Sequence, residues 1–316
     1  PRVVAAVSTF LVALYPVFFA QSSLAQVDLP AAGFLFWGLS AYVRRRVLTM
    51  ACWFALAALA KETAVLVPIA LALWEVVAPK VTSRFAAETD TPIDAHLHPE
   101  RLVYLLLPCI PLATWYAYHY FHTGFVFGNP EFLRYNLQDT LHPLRIVLAL
   151  FLRLWQTIGY MSLYVLTLAC LLAMKYPAQS VIPPPTGSKS ATSLLAGLES
   201  VLSGLRPRIS IPVQFAFLAV TVFYLLALSV LGGAVLARYL LPIVPLFILV
   251  CVSTIWRRLR PWKFVLAIVA ASFIATIFVN PPYSFSLEDN LAYRDYIRLH
   301  QRAEAFLEER YPRAHV

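Results

Sequence analysis

The sequence predicts an all-α polytopic integral membrane protein with about nine transmembrane or re-entrant helices, and three observations predict it. First, of 316 residues 60% are hydrophobic and only 13% charged, where a soluble domain carries about a quarter charged residues. A chain so poor in polar surface takes lipid as its medium. Second, the apolar residues gather in runs at 4–20, 29–43, 47–60, 63–78, 101–119, 156–175, 213–233, 238–256 and 263–279. Third, lysines and arginines fall in short clusters between these runs, as they do where helices are anchored on a cytoplasmic face. The formal net charge of +9 is therefore read as anchoring, and no nucleic acid partner is expected.

A span needs about 20 residues, within ~17–25. Several runs reach that length. Runs 29–43, 47–60 and 63–78 are short and are read as tilted, extended by their flanks or partly inserted. Alternation from an inside N-terminus puts Arg2, Arg44 to Arg46, Lys80, Arg84, Arg101, Lys175, Lys189, Arg206, Arg208, Arg257, Arg258, Arg260 and Lys263 on the cytoplasmic side, 15 in all. Lys61, Arg134, Arg145, Arg153 and Arg238 fall on the other side, five before the tail.

Between the runs, loop 79–100 is acidic and mixed, and its His96 and His98 read as solvated loop. Residues 176–212 are rich in Pro and Ser, with an amphipathic stretch, LLAGLESVLSGL, suited to a membrane surface. The outer loop HYFHTGFVFGNPEFLRYNLQDTLHPLR is dense in aromatic rings, which serve equally as interface belt and as stacking surface for sugars. PLRIVLALFLRLWQTIGYM follows, with Arg145 and Arg153 in an apolar pattern. It reads as a helix along the outer interface, the chain diving near Trp155. Cys52, Cys109, Cys170 and Cys251 all lie within runs, without metal-ligand spacing.

Ionisable residues at membrane depth are costly and point to function. Asp28 opens a helix just before Pro30, where an N-cap role accounts for a tolerated acid without excluding a functional one. Lys61 and Glu62 break what is otherwise one long apolar run, LAALAKETAVLVP. Adjacent helical residues point about 100° apart, so the two are poorly placed to pair with each other. Arg238, in GGAVLARYLLPIVP, stands where one run ends and the next begins. A guanidinium there either snorkels to the interface or grips phosphate oxygens bidentately. The sequence has no phosphate-binding Gly-rich loop with Lys, no HExxH, no GxSxG and no CxxC pair, and acids are read as absent from the middles of the runs.

Taken together, LYPVFFAQSSLAQVDLPAAGFLFW, LAALAKETAVLVPIAL and ARYLLPIVPL resemble membrane glycosyltransferases of the GT-C superfamily. The nearest likeness is to the protein O-mannosyltransferase and aminoarabinose transferase group, glycosyltransferase family 39 and its relatives. The resemblance implies an enzyme that moves a sugar from a polyprenyl-phosphate donor to a hydroxyl on protein, lipid or glycan. It implies a bacterial inner membrane, with the site facing the periplasm or exterior, and inversion at the anomeric carbon. By motif, Asp28 matches an acid near the family's active site and is expected to support rather than serve as base. Lys61 and Arg238 are expected to bind the donor phosphate, and Glu62, His122, Asn129 and Glu131 to contact donor or acceptor. No cofactor is assigned, a divalent cation is left open, and no metal ligands are named.

The family's first helix and acidic outer loop are not in this sequence and are expected upstream of Pro1. The chain is accordingly read as a fragment lacking its catalytic base, with a membrane domain at 1–280 and the start of an outer soluble segment at 281–316. Two other classes remain: a transporter or flippase of a lipid-linked sugar, which needs polar residues facing one another at mid-span, and a non-catalytic membrane scaffold.

Overall fold

A computed structural model describes residues 1–86, 99–126, 131, 134, 141–179, 206–231 and 234–311. Of these residues 80% are helical and none lies in a strand. Proline and polar residues decide where the apolar runs break. Helix α1 (Arg2–Leu14) stops at an extended Tyr15 because Pro16 follows, and Pro16 in turn opens α2 (Pro16–Gln21). The first apolar run is thus two helices. Helix α3 (Asp28–Val43) ends in the arginine triplet, where Arg45 takes a left-handed conformation (φ 58) and the Arg46 amide donates to the Ala41 carbonyl at 2.9 Å. Helix α4 (Val47–Ala60) ends at an extended Lys61 (φ −153, ψ 123), and a 3-10 turn, Glu62–Val65, leads into α5 (Leu66–Ala86).

Next in the described chain come α6 (Pro99–Leu106) and α7 (Cys109–Thr123). The latter is terminated by Gly124 at φ 77, a backbone angle that glycine adopts without steric cost. Helices α8 (Pro143–Ile158) and α9 (Leu163–Met174) are divided by a bend at Tyr160–Ser162. Then follow α10 (Ile211–Leu231), a turn at Ala237–Leu240, α11 (Val244–Arg258), α12 (Trp262–Phe278), a turn at Leu287–Asp289, and α13 (Ala292–Arg310).

Among the described residues, four stretches are long and apolar enough to cross a membrane: Glu62–Val81, Pro99–Thr123, Pro143–Met174 and Ile211–Leu231. Helix α10, with 21 residues, is about 31 Å long at 1.5 Å per residue, which matches a hydrocarbon core of about 30 Å. Arg2–Leu14, Val47–Ala60 and Trp262–Phe278 are apolar but shorter. The outward faces are apolar as well: Phe10, Leu48, Val103, Ile110, Phe151 and Phe264 are each more than half exposed. A surface of that kind is penalised in water and not in lipid.

Helix α3 packs along α4, and α4 also meets α6 and α7; α5 lies against α6 and α10. On the other side α11 packs with α1 and α9, and α12 with α2 and α9, while α8 reaches across to α10. The shared core is drawn from both groups, with Leu35, Phe54, Leu71, Leu166, Val220, Ile248 and Phe273 all buried. One end of the bundle is rich in arginine. There Arg258 donates to the carbonyls of Met174 (3.1 Å) and Tyr176 (2.7 Å), and the Gln179 amide donates to the Arg257 carbonyl at 2.8 Å.

The bend between α8 and α9 comes at Gly159–Ser162, just after the Trp155 at which the sequence reading has the chain dive. A Cβ on Gly159 would run into the Trp155 ring. Met161 (φ 47) and Ser162 (φ 67) are both left-handed, a conformation that costs non-glycine residues on the order of 1–3 kcal/mol. The surroundings hold it: the Met161 amide donates to the Tyr283 hydroxyl at 2.9 Å, and Ser162 Oγ lies 2.5 Å from Thr276 Oγ1.

Candidate functional site

Four breaks between helices meet at the end of the bundle away from the arginine-rich one. The first is the start of α3. Helix α3 begins at Asp28 itself with Val27 as its N-cap, and no side-chain cap is made. The capping role considered for Asp28 is therefore corrected. The acid gains from the positive end of the helix dipole, but its oxygens go elsewhere: Oδ1 accepts from Lys61 Nζ, and Oδ2 lies 3.8 Å from Arg238 Nε. Lys61 reaches it because the chain is extended there, between α4 and the 3-10 turn.

Arg238 comes from the Ala237–Leu240 turn and is shared. Its Nη1 donates to Glu288 Oε2, and the Glu288 backbone carbonyl accepts from Gln21 Nε2 at 3.1 Å. The neighbouring Tyr239 ring lies under both cations, with its centroid 4.0 Å from Lys61 Nζ and 5.5 Å from Arg238 Cζ. These side chains are largely out of water, Asp28 at 8% and Lys61 at 14% exposure. Charges so placed need partners, and here two carboxylates face two cations.

Three residues singled out separately in the sequence, Asp28, Lys61 and Arg238, are thus brought into one ion cluster. The others are not. Glu62 is exposed and is not bonded to Lys61, which is extended here rather than helical. His122 sits in the last turn of α7, with its Nδ1 bonded to the Tyr118 carbonyl four residues back (3.1 Å) and its ring against Tyr118. Glu131 is exposed. Asn129 lies outside the described residues, as do His96, His98 and the amphipathic stretch LLAGLESVLSGL. Among the described residues no three His, Cys, Asp or Glu side chains come together as a metal site.

Several polar residues of weight go unnoticed in the sequence. Glu75 is buried within the Glu62–Val81 stretch, accepting from the Tyr42 hydroxyl (2.7 Å) and Arg101 Nη1 (2.9 Å). The sequence reading sets acids apart from the middles of the runs, and Glu75 stands near the end of run 63–78. Asp289 is buried beside the cluster and accepts from the Tyr160 hydroxyl at 2.6 Å. Burial pushes its carboxyl up to about 6, against the opposing pull of that hydrogen bond. Arg153, expected along the outer interface, is fully buried instead. The spacing Arg153, Gln156, Thr157 is i, i+3, i+4, one face of a helix, and all three are buried where α8 packs on α10.

No family model matches the chain, and comparison with curated proteins and with solved structures gives no match. The class that the fold defines is an all-helical protein with membrane-length apolar helices, and its site is an ion cluster at one end of them.

Proposed function

We propose that the protein is a membrane glycosyltransferase of the GT-C type, transferring a sugar from a polyprenyl-phosphate donor to a hydroxyl acceptor. The observation that carries this reading is the convergence of Asp28, Lys61 and Arg238. In the reaction the acceptor oxygen attacks the anomeric carbon, the bond from that carbon to the phosphate oxygen breaks, and the electron pair leaves with the phosphate. The acceptor's proton goes to a base that is not assigned among these residues. Charge grows on the leaving phosphate, and preorganised cations stabilise it at that moment. Lys61 and Arg238 supply them. Asp28 holds both in place, a supporting role for a carboxylate whose oxygens are already engaged.

In this reading the nine apolar runs are the membrane segments, some tilted or partly inserted. The arginine-rich end is cytoplasmic, and the ion cluster faces the periplasmic side of a bacterial inner membrane. The test is transfer of labelled sugar from polyprenyl-phosphate donors in membranes holding the full chain. Lys61→Ala and Arg238→Ala are expected to lower the rate on the order of 10²-fold, with the proteins still folded. Wild-type rates in both variants would sink the proposal, and movement of intact donor across vesicles without sugar transfer would favour a flippase.

A further inference from the structure

The Asp28 cluster is compensated, carboxylate against cation; Arg153 is not. It is fully buried, and its Nε, Nη1 and Nη2 have no hydrogen-bond partner among the described residues. The titratable groups in electrostatic reach are the phenols of Tyr224 and Tyr239 and a second cation, Arg145. A guanidinium sealed in this way is costly unless an anion meets it.

One helical turn on, Gln156 adds a complementary feature. Its Nε2 donates to the Val235 carbonyl at 2.9 Å, which fixes the amide's orientation, and its Oε1 is buried without a donor. Where α8 packs on α10 and the Ala237–Leu240 turn, strong donors and one acceptor in want of a proton are therefore buried in closed packing, which a ligand must part to reach them. A phosphate monoester supplies both, oxyanions for the guanidinium and a P–OH for the amide oxygen; a phosphodiester supplies only the charge. The outward side of α8 is apolar, with Phe151, Leu152 and Leu154 exposed, so a phosphate carried on an apolar chain could approach along it.

We propose that Arg153 and Gln156 form an anion site for a phosphate monoester beside the Asp28 cluster, with which it shares Tyr239, and readable without any sugar transfer. The test uses the full chain in a maltoside detergent, with dodecyl monophosphate, didodecyl phosphate and inorganic phosphate as probes. Thermal unfolding and calorimetric titration are the readouts. Dodecyl monophosphate is expected to raise the unfolding temperature and to bind more tightly than the diester. Arg153→Met is expected to weaken binding roughly ten- to hundred-fold, and to unfold at a higher temperature than wild type without ligand because the unpaired charge is gone. Stabilisation by inorganic phosphate alone places the source in solution, and stabilisation by the alkyl ester alone places it in the bilayer; both support the site. Equal binding by wild type and Arg153→Met, or no shift with any phosphate, overturns it. Should Arg153→Met fail to fold, Gln156→Leu decides: loss of the preference for monoester over diester supports the site, and an unchanged preference overturns it.

Discussion

Gly38 is where the α3–α4 pair can be tested most directly. A Cβ built on it would lie 2.5 Å from Phe54 Cδ1, with Cε1 nearer still. Carbon atoms in good contact sit about 3.5–4.0 Å apart, so Gly38→Ala must open at least about 1 Å between the helices or turn a Phe54 ring that is fully buried. Overpacking of this kind costs about 1–3 kcal/mol. That outweighs the gain of up to about 1 kcal/mol from replacing a helical glycine by alanine. The position matters for the site because α3 and α4 form an antiparallel hairpin whose far ends carry Asp28 and Lys61. Ten residues of helix put Gly38 about 15 Å from Asp28, so a wedge there acts on the ion pair as a lever. Denaturation of the detergent-solubilised protein, followed by tryptophan fluorescence, should show the loss, and Phe54→Leu in the Gly38→Ala background should restore much of it. If Gly38→Ala is as stable as wild type, or if Phe54→Leu adds its own loss instead of relieving the first, the close packing inferred here is wrong.

Asp28→Asn leaves Lys61 and Arg238 with a single carboxylate, at a cost of about 1–3 kcal/mol once their partial exposure is allowed for. Adding Lys61→Met should recover part of it, and strict additivity in the cycle would deny the pairing. Asp289 gives a dependence on pH. Its folded carboxyl is raised to about 6 from an ordinary 3.8, so the buried acid prefers its proton. The penalty is absent below the lower value, grows as pH rises between the two and is complete above 6. Asp289→Asn, which still offers Tyr160 an oxygen, should therefore match wild type near pH 4 and exceed it by up to about 3 kcal/mol near pH 7. A gap that stays constant over that range would exclude the linkage.

Asp28, Lys61 and Arg238 were legible because each interrupts a long apolar run, and a charge in such a place announces itself by contrast. Glu288 and Gln21 carry no such contrast. Their contact joins residues 267 apart in the chain, and nothing local in either neighbourhood points to the other. Arg153 misled because an amphipathic pattern fits both an interfacial helix and a helix whose polar face is buried. Only the packing of α8 on α10 separates the two. Glu75 was hidden by its surroundings, since its partners Tyr42 and Arg101 lie on either side of it in sequence, 33 and 26 residues away. Helix type followed from composition alone, whereas helix length did not: Pro16 and Gly159 break runs that hydrophobicity leaves continuous.

The left-handed bend at Met161 and Ser162 has a consequence in time. The side chains that hold it, Tyr283, Thr276 and, through Tyr160, Asp289, lie between 114 and 129 residues further along. Synthesis runs from the N-terminus, so α8 is made, with Arg153 on its inner face, long before anything exists to fix its direction. Until the chain from Thr276 to Asp289 folds back, the joint between α8 and α9 carries its backbone strain without those partners. The same returning segment delivers Glu288 to Arg238. Its arrival sets the bend and the ion cluster together, so a stretch made later settles the geometry of parts built much earlier.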